Sequence, residues 1–210
     1  MSNRRRPTFT EERVLQAQGY RYIAGIDEAG RGALAGPVAA AAVILPARVR
    51  GSWTSQIRDS KQLTPEKREF LFHHIHAAAV AVGVGMVDCK GVDSRGIARA
   101  TRMAMKLAVK RLSPAPEFLL IDYLRLPAVK LPQKGITYGD ILCFSIACAS
   151  IIAKVTRDRL MIELDKVHPG YGMARHKGYG TSQHLACLLR LGPSPVHRLT
   201  FNPVKEMIKR

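Results

Sequence analysis

Arg21-Tyr22-Ile23-Ala24-Gly25-Ile26-Asp27-Glu28-Ala29-Gly30-Arg31-Gly32 is the stretch from which the rest of this chain can be read. The small and apolar residues from Tyr22 to Ile26 suit the interior of a sheet. Two adjacent carboxylates follow where such a strand is expected to stop, which is where functional groups gather. Paired hard oxygen ligands attract Mg2+ or Mn2+, and Gly30 and Gly32 let backbone N–H groups come close to an anionic or hydroxylated ligand. Phosphate is the natural guest. The plainer alternative is a solvated acidic turn whose glycines serve only a positive φ.

Working outward, Val38 to Leu45 is a second β segment closed by Pro46. The short Gly-rich connection with Pro37 suits antiparallel neighbours better than a parallel crossover. Arg50 to Leu63 reads as loop, and Thr64-Pro65-Glu66-Lys67 supplies a cap, a proline and an acidic first turn for a helix to about Ala79. Val80 to Val87 is the next strand. Asp93 or Ser94 then caps a helix whose Ile97, Thr101, Ala104, Ala108 and Leu112 recur at helical spacing. Phe118 to Ile121 is a short buried strand that ends in Asp122, repeating the pattern of an apolar run followed by a carboxylate. Ser145 to Asp165 is a long helix with an apolar start and a charged finish. Gly170 to Gly180 is loop, Ser182 to Leu191 another helix, and Pro193 to Arg210 a tail. Residues 1–20 are expected to be a flexible basic arm, with a hint of helix at Thr10-Glu11-Glu12-Arg13, and residues 21–210 a single domain.

Composition agrees with one substantial core, since 47% of the 210 residues are hydrophobic. The 33 Lys and Arg against 16 Asp and Glu leave a net charge of +17, a field that favours polyanions, nucleic acid first among them. Charge alone separates neither enzyme from binder nor DNA from RNA. Cys89, Cys143, Cys148 and Cys187 form no Cys-x-x-Cys pair, so reduced thiols are expected and no zinc site. No apolar stretch follows Met1 to Pro7, and Ala33–Leu45 and Ile141–Ala153 are shorter than the roughly 20 residues a membrane span needs. The expectation is a cytoplasmic protein with no membrane contact.

Asp27, Glu28 and Asp122, with Asp140 just ahead of the long helix, come from separate segments and can converge at one edge of a mixed sheet. Two ions about 3.5–4 Å apart in such a place serve in-line displacement at phosphorus. Taken singly, Asp122 can be an ordinary strand end and Asp140 a helix cap.

With these motifs in view the chain resembles ribonuclease HII, the bacterial type 2 ribonuclease H. The resemblance runs through Gly25-Ile26-Asp27-Glu28-Ala29-Gly30-Arg31-Gly32, Gly36-Pro37, Asp59-Ser60-Lys61, Ile121-Asp122, Gly139-Asp140 and Ala149 to Asp158. It continues in Pro169 to Gly172, His176-Lys177-Gly178-Tyr179-Gly180-Thr181 and His197-Arg198, covering about Tyr22 to Pro203 in collinear order. It implies a ribonuclease H-like α/β fold: a central mixed five-stranded sheet flanked by helices, with a C-terminal helical portion. It also implies an endonuclease that cuts the RNA strand of RNA–DNA hybrids and nicks duplex DNA 5′ of an embedded ribonucleotide, leaving 3′-hydroxyl and 5′-phosphate ends. By position, Asp27, Glu28, Asp122 and Asp140 correspond to the family's metal-binding acids, which take two divalent ions, Mg2+ or Mn2+. Gly30, Arg31 and Gly32 correspond to its sensor of the ribonucleotide 2′-hydroxyl, and Tyr179 to its junction-reading tyrosine.

Lys61, and Lys154 with Arg157 on the long helix, are expected phosphate contacts, although surface cations more often serve solubility. His73, His74 and His76 fall in no family motif and read as solvent-facing. For His176, His184 and His197, structural and substrate roles stay open. Two residues depart from the family pattern: Tyr123 where glycine is usual, which is expected to crowd the strand end, and Tyr138 where lysine is usual. The nearest enzyme rival to this reading, ribonuclease HIII, is a relative that carries an extra N-terminal substrate-binding domain ahead of its acidic motif, whereas only residues 1–26 precede Asp27. The rival of another class, a silent basic nucleic-acid-binding protein on the same fold, has no use for clustered acids that repel one another. A monomer is the default expectation, with protein partners unspecified.

Overall fold

Gly25 is one of the closest backbone approaches in the structure. A Cβ built there would lie 2.2 Å from the backbone carbon of Ser145, so a helix rides directly on the central strand, and only glycine permits that approach. In this computed structural model, which describes residues 6–208, the order is α1 (Thr10–Ala17), β1 (Ile23–Ala29), β2 (Val38–Ile44), α2 (Pro65–Ala78), β3 (Ala81–Val87), α3 (Cys89–Arg95) and α4 (Ile97–Lys110). There follow β4 (Phe118–Asp122), β5 (Gln133–Ile136), α5 (Gly139–Leu142), α6 (Phe144–Val167), α7 (Met173–His176), α8 (Ser182–Leu191) and α9 (Val204–Met207). Short 3-10 turns cover Ser52–Gln56 and Ser60–Gln62.

The five strands form one mixed sheet in the order β3-β2-β1-β4-β5. β2 runs antiparallel to β1 and β3, while β4 runs parallel to β1 and β5. The antiparallel β1–β2 pair agrees with its short glycine-rich connection. Strand alternation divides the core: Ala24, Ile26, Leu119 and Ile121 join α4 residues such as Ala104 and Ala108 on one face, and Ala29, Ala41 and Val43 meet α6 and α2 on the other. α4 carries its buried Ala100, Ala104, Met105 and Ala108 on a single stripe, as its spacing predicts. Burying these two apolar layers is the main favourable term of the fold.

Several segments differ from the sequence reading, among them Asp93 and Ser94, which lie inside α3 and do not cap the helix that follows, Gly96 standing before α4. The arm expected over residues 1–20 is, in its described part, docked: α1 buries Leu15, Phe9 stacks on Phe144 at 4.1 Å, and Glu12 Oε1 accepts the Ser145 N–H at 2.8 Å. A carboxylate at the start of the 24-residue α6 satisfies an otherwise unpaired donor and faces the positive end of the helix dipole. Residues 1–5 lie outside the described residues. The tail expected from Pro193 buries Ser194, His197 and Arg198, and Ala35 bridges to His197. β5 is the fifth strand that the resemblance implies but the residue pattern does not locate, because Gln133-Lys134-Gly135-Ile136 offers too little apolar character to read as a strand.

Candidate active site

β1 carries two carboxylates in succession, and they do not lie beyond the strand as expected. β1 continues to Ala29 against β2, with Asp27 opposite Ala41 and Glu28 opposite Ala40. On its other side, pairing with β4 stops at Ile26 and Ile121. The site therefore opens where β1 and β4 part, with Asp27 and Glu28 on one strand and Asp122 at the end of the other. Adjacent strand residues face opposite ways. Asp27 shares the α6 side of the sheet and is 4% exposed, while Glu28 bonds Arg31 Nη1 at 3.3 Å. Asp122 Oδ1 accepts the Gly139 N–H at 2.7 Å, bringing the turn that carries buried Asp140 alongside.

The four acids feel one another. Burial, then the charges of Glu28 and Asp122, push the Asp27 carboxyl well above its ordinary value. Glu28 is raised by burial and by Asp122, with Arg31 opposing. Asp122 is raised by burial and by Asp140, and Asp140 by burial and Asp59. Lys61 answers this charge. Its Nζ lies 3.4 Å from Asp140 Oδ2 and 4.0 Å from Asp59 Oδ1, and although burial opposes its ammonium, Asp59, Asp140 and Asp27 hold it above the usual lysine value. The turn that presents Lys61 is fixed by Asp59, which accepts the Lys61 N–H, and by the buried Ser60–Ser150 hydroxyl contact at 2.9 Å. Asp59, Ser60 and Ser150 are site-building residues to which the sequence reading gave no role.

Among the described residues no three His, Cys, Asp or Glu side chains stand ready-made around one point as metal ligands. The donor set nevertheless fits hard divalent ions: all four groups are carboxylates, they raise one another's pKa, and the buried Glu28 Oε2 has no hydrogen-bond partner. A cation supplies what that atom lacks and lets repelling acids share a site.

Asp27, Glu28 and Asp122 line a cavity of about 280 Å3 together with Gly30, Arg31, Gly32, Lys61, Lys154 and Tyr179. Of the expected site residues, Asp140 and Arg157 do not line it, and Asp140 reaches it through Lys61 and the Asp122–Gly139 bond. A larger cavity of about 520 Å3, mainly apolar and holding Asp88 as its one carboxylate, lies between Pro37, Val87, Met103 and Leu164, away from the acids.

Arg157 requires a correction. It was expected to touch phosphate, but its side chain is fully buried and donates to the carbonyls of Pro37 at 2.9 Å, Lys177 at 2.9 Å and Ala35 at 3.0 Å. Arg198, also fully buried, donates to Gly36, Arg31 and Gly30 at 3.1, 2.8 and 2.8 Å. These two guanidiniums shape the Gly30–Pro37 loop from beneath and tie it to the segment bearing Tyr179. Gly30 belongs to the same design: at φ +89, a Cβ there would lie 2.0 Å from Arg157 Nε. The sequence signal for burial was the row Ala153, Arg157, Met161 on one face of α6; nothing local marked Arg198. Lys154 pairs with Asp158 at 2.7 Å and lies 5.4 Å from the Tyr179 ring centre, as does Arg157.

Tyr123 and Tyr138 do not crowd the site. Both are exposed, and both adopt left-handed backbone, φ +57 and +58, which is why glycine suits the first position.

A mixed sheet whose parallel strands β1 and β4 carry carboxylates just past the end of their pairing places the chain in the class of ribonuclease H-like proteins, and the crystal structure of ribonuclease H2 from Pyrococcus horikoshii OT3 matches it with a TM-score of 0.76 at 25% identity, covering 90% of this chain and 98% of that one. The model of the family described as ribonuclease HII matches residues 24–204. Ribonuclease HII of Dehalococcoides mccartyi strain 195 is 60% identical over 201 residues, 96% of this chain and 95% of the relative, and that of Geobacillus kaustophilus is 56% identical over 198 residues, 94% and 75%. The chain belongs to the ribonuclease HII family and is a metal-dependent ribonuclease. No described helix is long and apolar enough to cross a membrane.

Proposed function

We propose that this enzyme hydrolyses the RNA strand of RNA–DNA hybrids and nicks duplex DNA 5′ of a single embedded ribonucleotide, leaving 3′-hydroxyl and 5′-phosphate ends. The observation that carries this reading is the shared cavity, where Asp27, Glu28 and Asp122 meet the Gly30-Arg31-Gly32 loop and Tyr179. Asp27, Glu28, Asp122 and Asp140 would hold two divalent ions, Mg2+ or Mn2+, which when bound supply the Lewis acidity for in-line displacement at the scissile phosphate.

The chain's own residues do the selecting. Gly32 has no atom near the place a Cβ would occupy, so backbone groups of the loop can approach the sugar and test for a 2′-hydroxyl, the group by which RNA differs from DNA. Tyr179 offers a half-buried ring for stacking at the ribose–deoxyribose junction. Lys61, whose side chain is 77% exposed, and Lys154 neutralise flanking phosphates and set the register of the duplex.

The test is a duplex DNA with one internal ribonucleotide, labelled at either end. The expected product is a single nick on the 5′ side with a 3′-hydroxyl terminus. Cleavage confined to long hybrids, or a nick on the 3′ side, would overturn the proposal.

A further inference from the structure

Behind Tyr179 lies a buried chain of three histidines outside the acidic centre. His184 Nδ1 is 3.0 Å from the Tyr179 carbonyl oxygen. A carbonyl only accepts, so Nδ1 carries the proton and Nε2 is the accepting nitrogen. That Nε2 lies 3.0 Å from His197 Nε2, which must then donate. His197 Nδ1 is left to accept, and it receives the Ser194 N–H at 2.9 Å with the Ser194 hydroxyl at 2.8 Å. His176 completes the group: its Nε2 donates to the Tyr171 carbonyl at 2.8 Å, its Nδ1 accepts the Gly178 N–H at 3.2 Å, and its ring stacks on His184 at 4.2 Å. Each tautomer follows from its partners: every ring has one nitrogen that donates and one that accepts.

We propose that His184, held by His197 and Ser194, is the positioning residue that fixes Tyr179 for recognition of a single ribonucleotide. The ring of Tyr179 is flanked by the Lys154 and Arg157 cations, and its backbone is anchored by this hydrogen bond to α8. The proposal rests on the junction-reading role of Tyr179 given above and adds the group that aims it.

Neutrality is built in. Burial lowers the pKa of His184, and burial, with the His184 ring alongside competing for any added proton, brings His197 down to about 4. The titratable groups around the chain are His168 at the end of α6, His176 and Lys177 before α8, and Tyr171 against His197 at 5.0 Å with Cys187 beside it, while Arg157 reaches the segment through the Lys177 carbonyl. Among the described residues no carboxylate hydrogen-bonds to any of the three rings, so an added proton has no anion to meet, and protonated His184 would set two N–H groups against each other.

The test compares two polar substitutions of similar size. His184→Asn keeps a donor near the Nδ1 position; His184→Gln moves it away from the Tyr179 carbonyl. With thermal melts to confirm folding, His184→Gln is expected to lower kcat/KM about tenfold for a single embedded ribonucleotide and less than threefold for a long hybrid, and His184→Asn to stay within threefold of wild type on both. His197→Phe, which removes the donor to His184 Nε2, is expected to repeat the selective loss from an independent position. In a Tyr179→Ala background His184→Gln is expected to cost nothing more. Equal losses on both substrates, the same effect for Asn and Gln, or additive losses with Tyr179→Ala would overturn the proposal. Should Tyr179→Ala itself be unselective, the reading of Tyr179 falls and this proposal with it; a selective Tyr179→Ala beside an unselective His184→Gln removes the histidine chain alone.

Discussion

The side chain of Asp122 accepts the backbone N–H of Gly139 at 2.7 Å. Through that bond the end of β4 holds the turn that carries Asp140, so the third and fourth acids of the site are positioned as a unit although a loop and a strand separate them in sequence. The same bond tends to lower the Asp122 pKa, yet burial and Asp140 outweigh it and the carboxyl stays raised.

Raised carboxyls imply a stability cost with a definite sign. The folded protein keeps protons that the unfolded chain has already released, so stability falls as pH climbs from the ordinary carboxyl range through the raised folded values. Asp27→Asn removes the most buried contributor. At neutral pH without divalent ions the variant is expected to melt about 2–8 °C above wild type, on the order of 1–2 kcal/mol, and the gap is expected to close at acid pH. Added Mg2+ or Mn2+ is expected to raise the wild-type Tm more than that of the variant. A lower Tm for ion-free Asp27→Asn at neutral pH would contradict the repulsion.

Arg157→Met deprives the buried Pro37 and Ala35 carbonyls and the half-buried Lys177 carbonyl of their donor. At about 1–3 kcal/mol for each unsatisfied group, the loss is at least about 3 kcal/mol, a fall in Tm of about 6–12 °C. Gly30→Ala, which drives a Cβ into Arg157, is expected to impair both stability and cleavage. If Arg157 instead met phosphate, its removal would weaken binding and leave Tm unchanged.

Lys61→Gln tests the phosphate role of an exposed cation. The slope of log affinity for a hybrid against log salt is expected to become shallower by about one unit, with the same change for every sequence. An unchanged slope would leave Lys61 with only its contacts to Asp59 and Asp140.

Tyr179→Ala is expected to impair nicking at one embedded ribonucleotide more than cleavage of a long hybrid, where many ribonucleotides present themselves. Equal losses in kcat/KM would deny the side chain a junction role.

What could be read in advance follows from local physics. The β1–β2 hairpin and the carboxylates at β1 and β4 are marked by apolar runs that stop at acids, a pattern complete within a few residues. β5 escaped because an edge strand needs little apolar character, and Gln133 to Ile136 has almost none. The docking of α1 depends on Glu12 meeting Ser145, a contact between distant segments that no local pattern announces. Arg157 resembles a ligand contact because it stands near a site proposed to take phosphate; only burial separates it from Lys154, which does line the cavity. The histidines were visible, but their tautomers become defined only when Tyr179, Ser194 and Tyr171 close around them.

The most direct test of the acidic centre is nicking of a duplex with one ribonucleotide, measured with Mg2+ or Mn2+ and again in excess EDTA, for wild type, Asp27→Asn and Asp122→Asn. Wild type is expected to nick only with the divalent ion, and both variants to fall to background while still binding hybrid. Nicking that persists in EDTA, or full activity of either variant, would contradict an ion-dependent site built from these carboxylates.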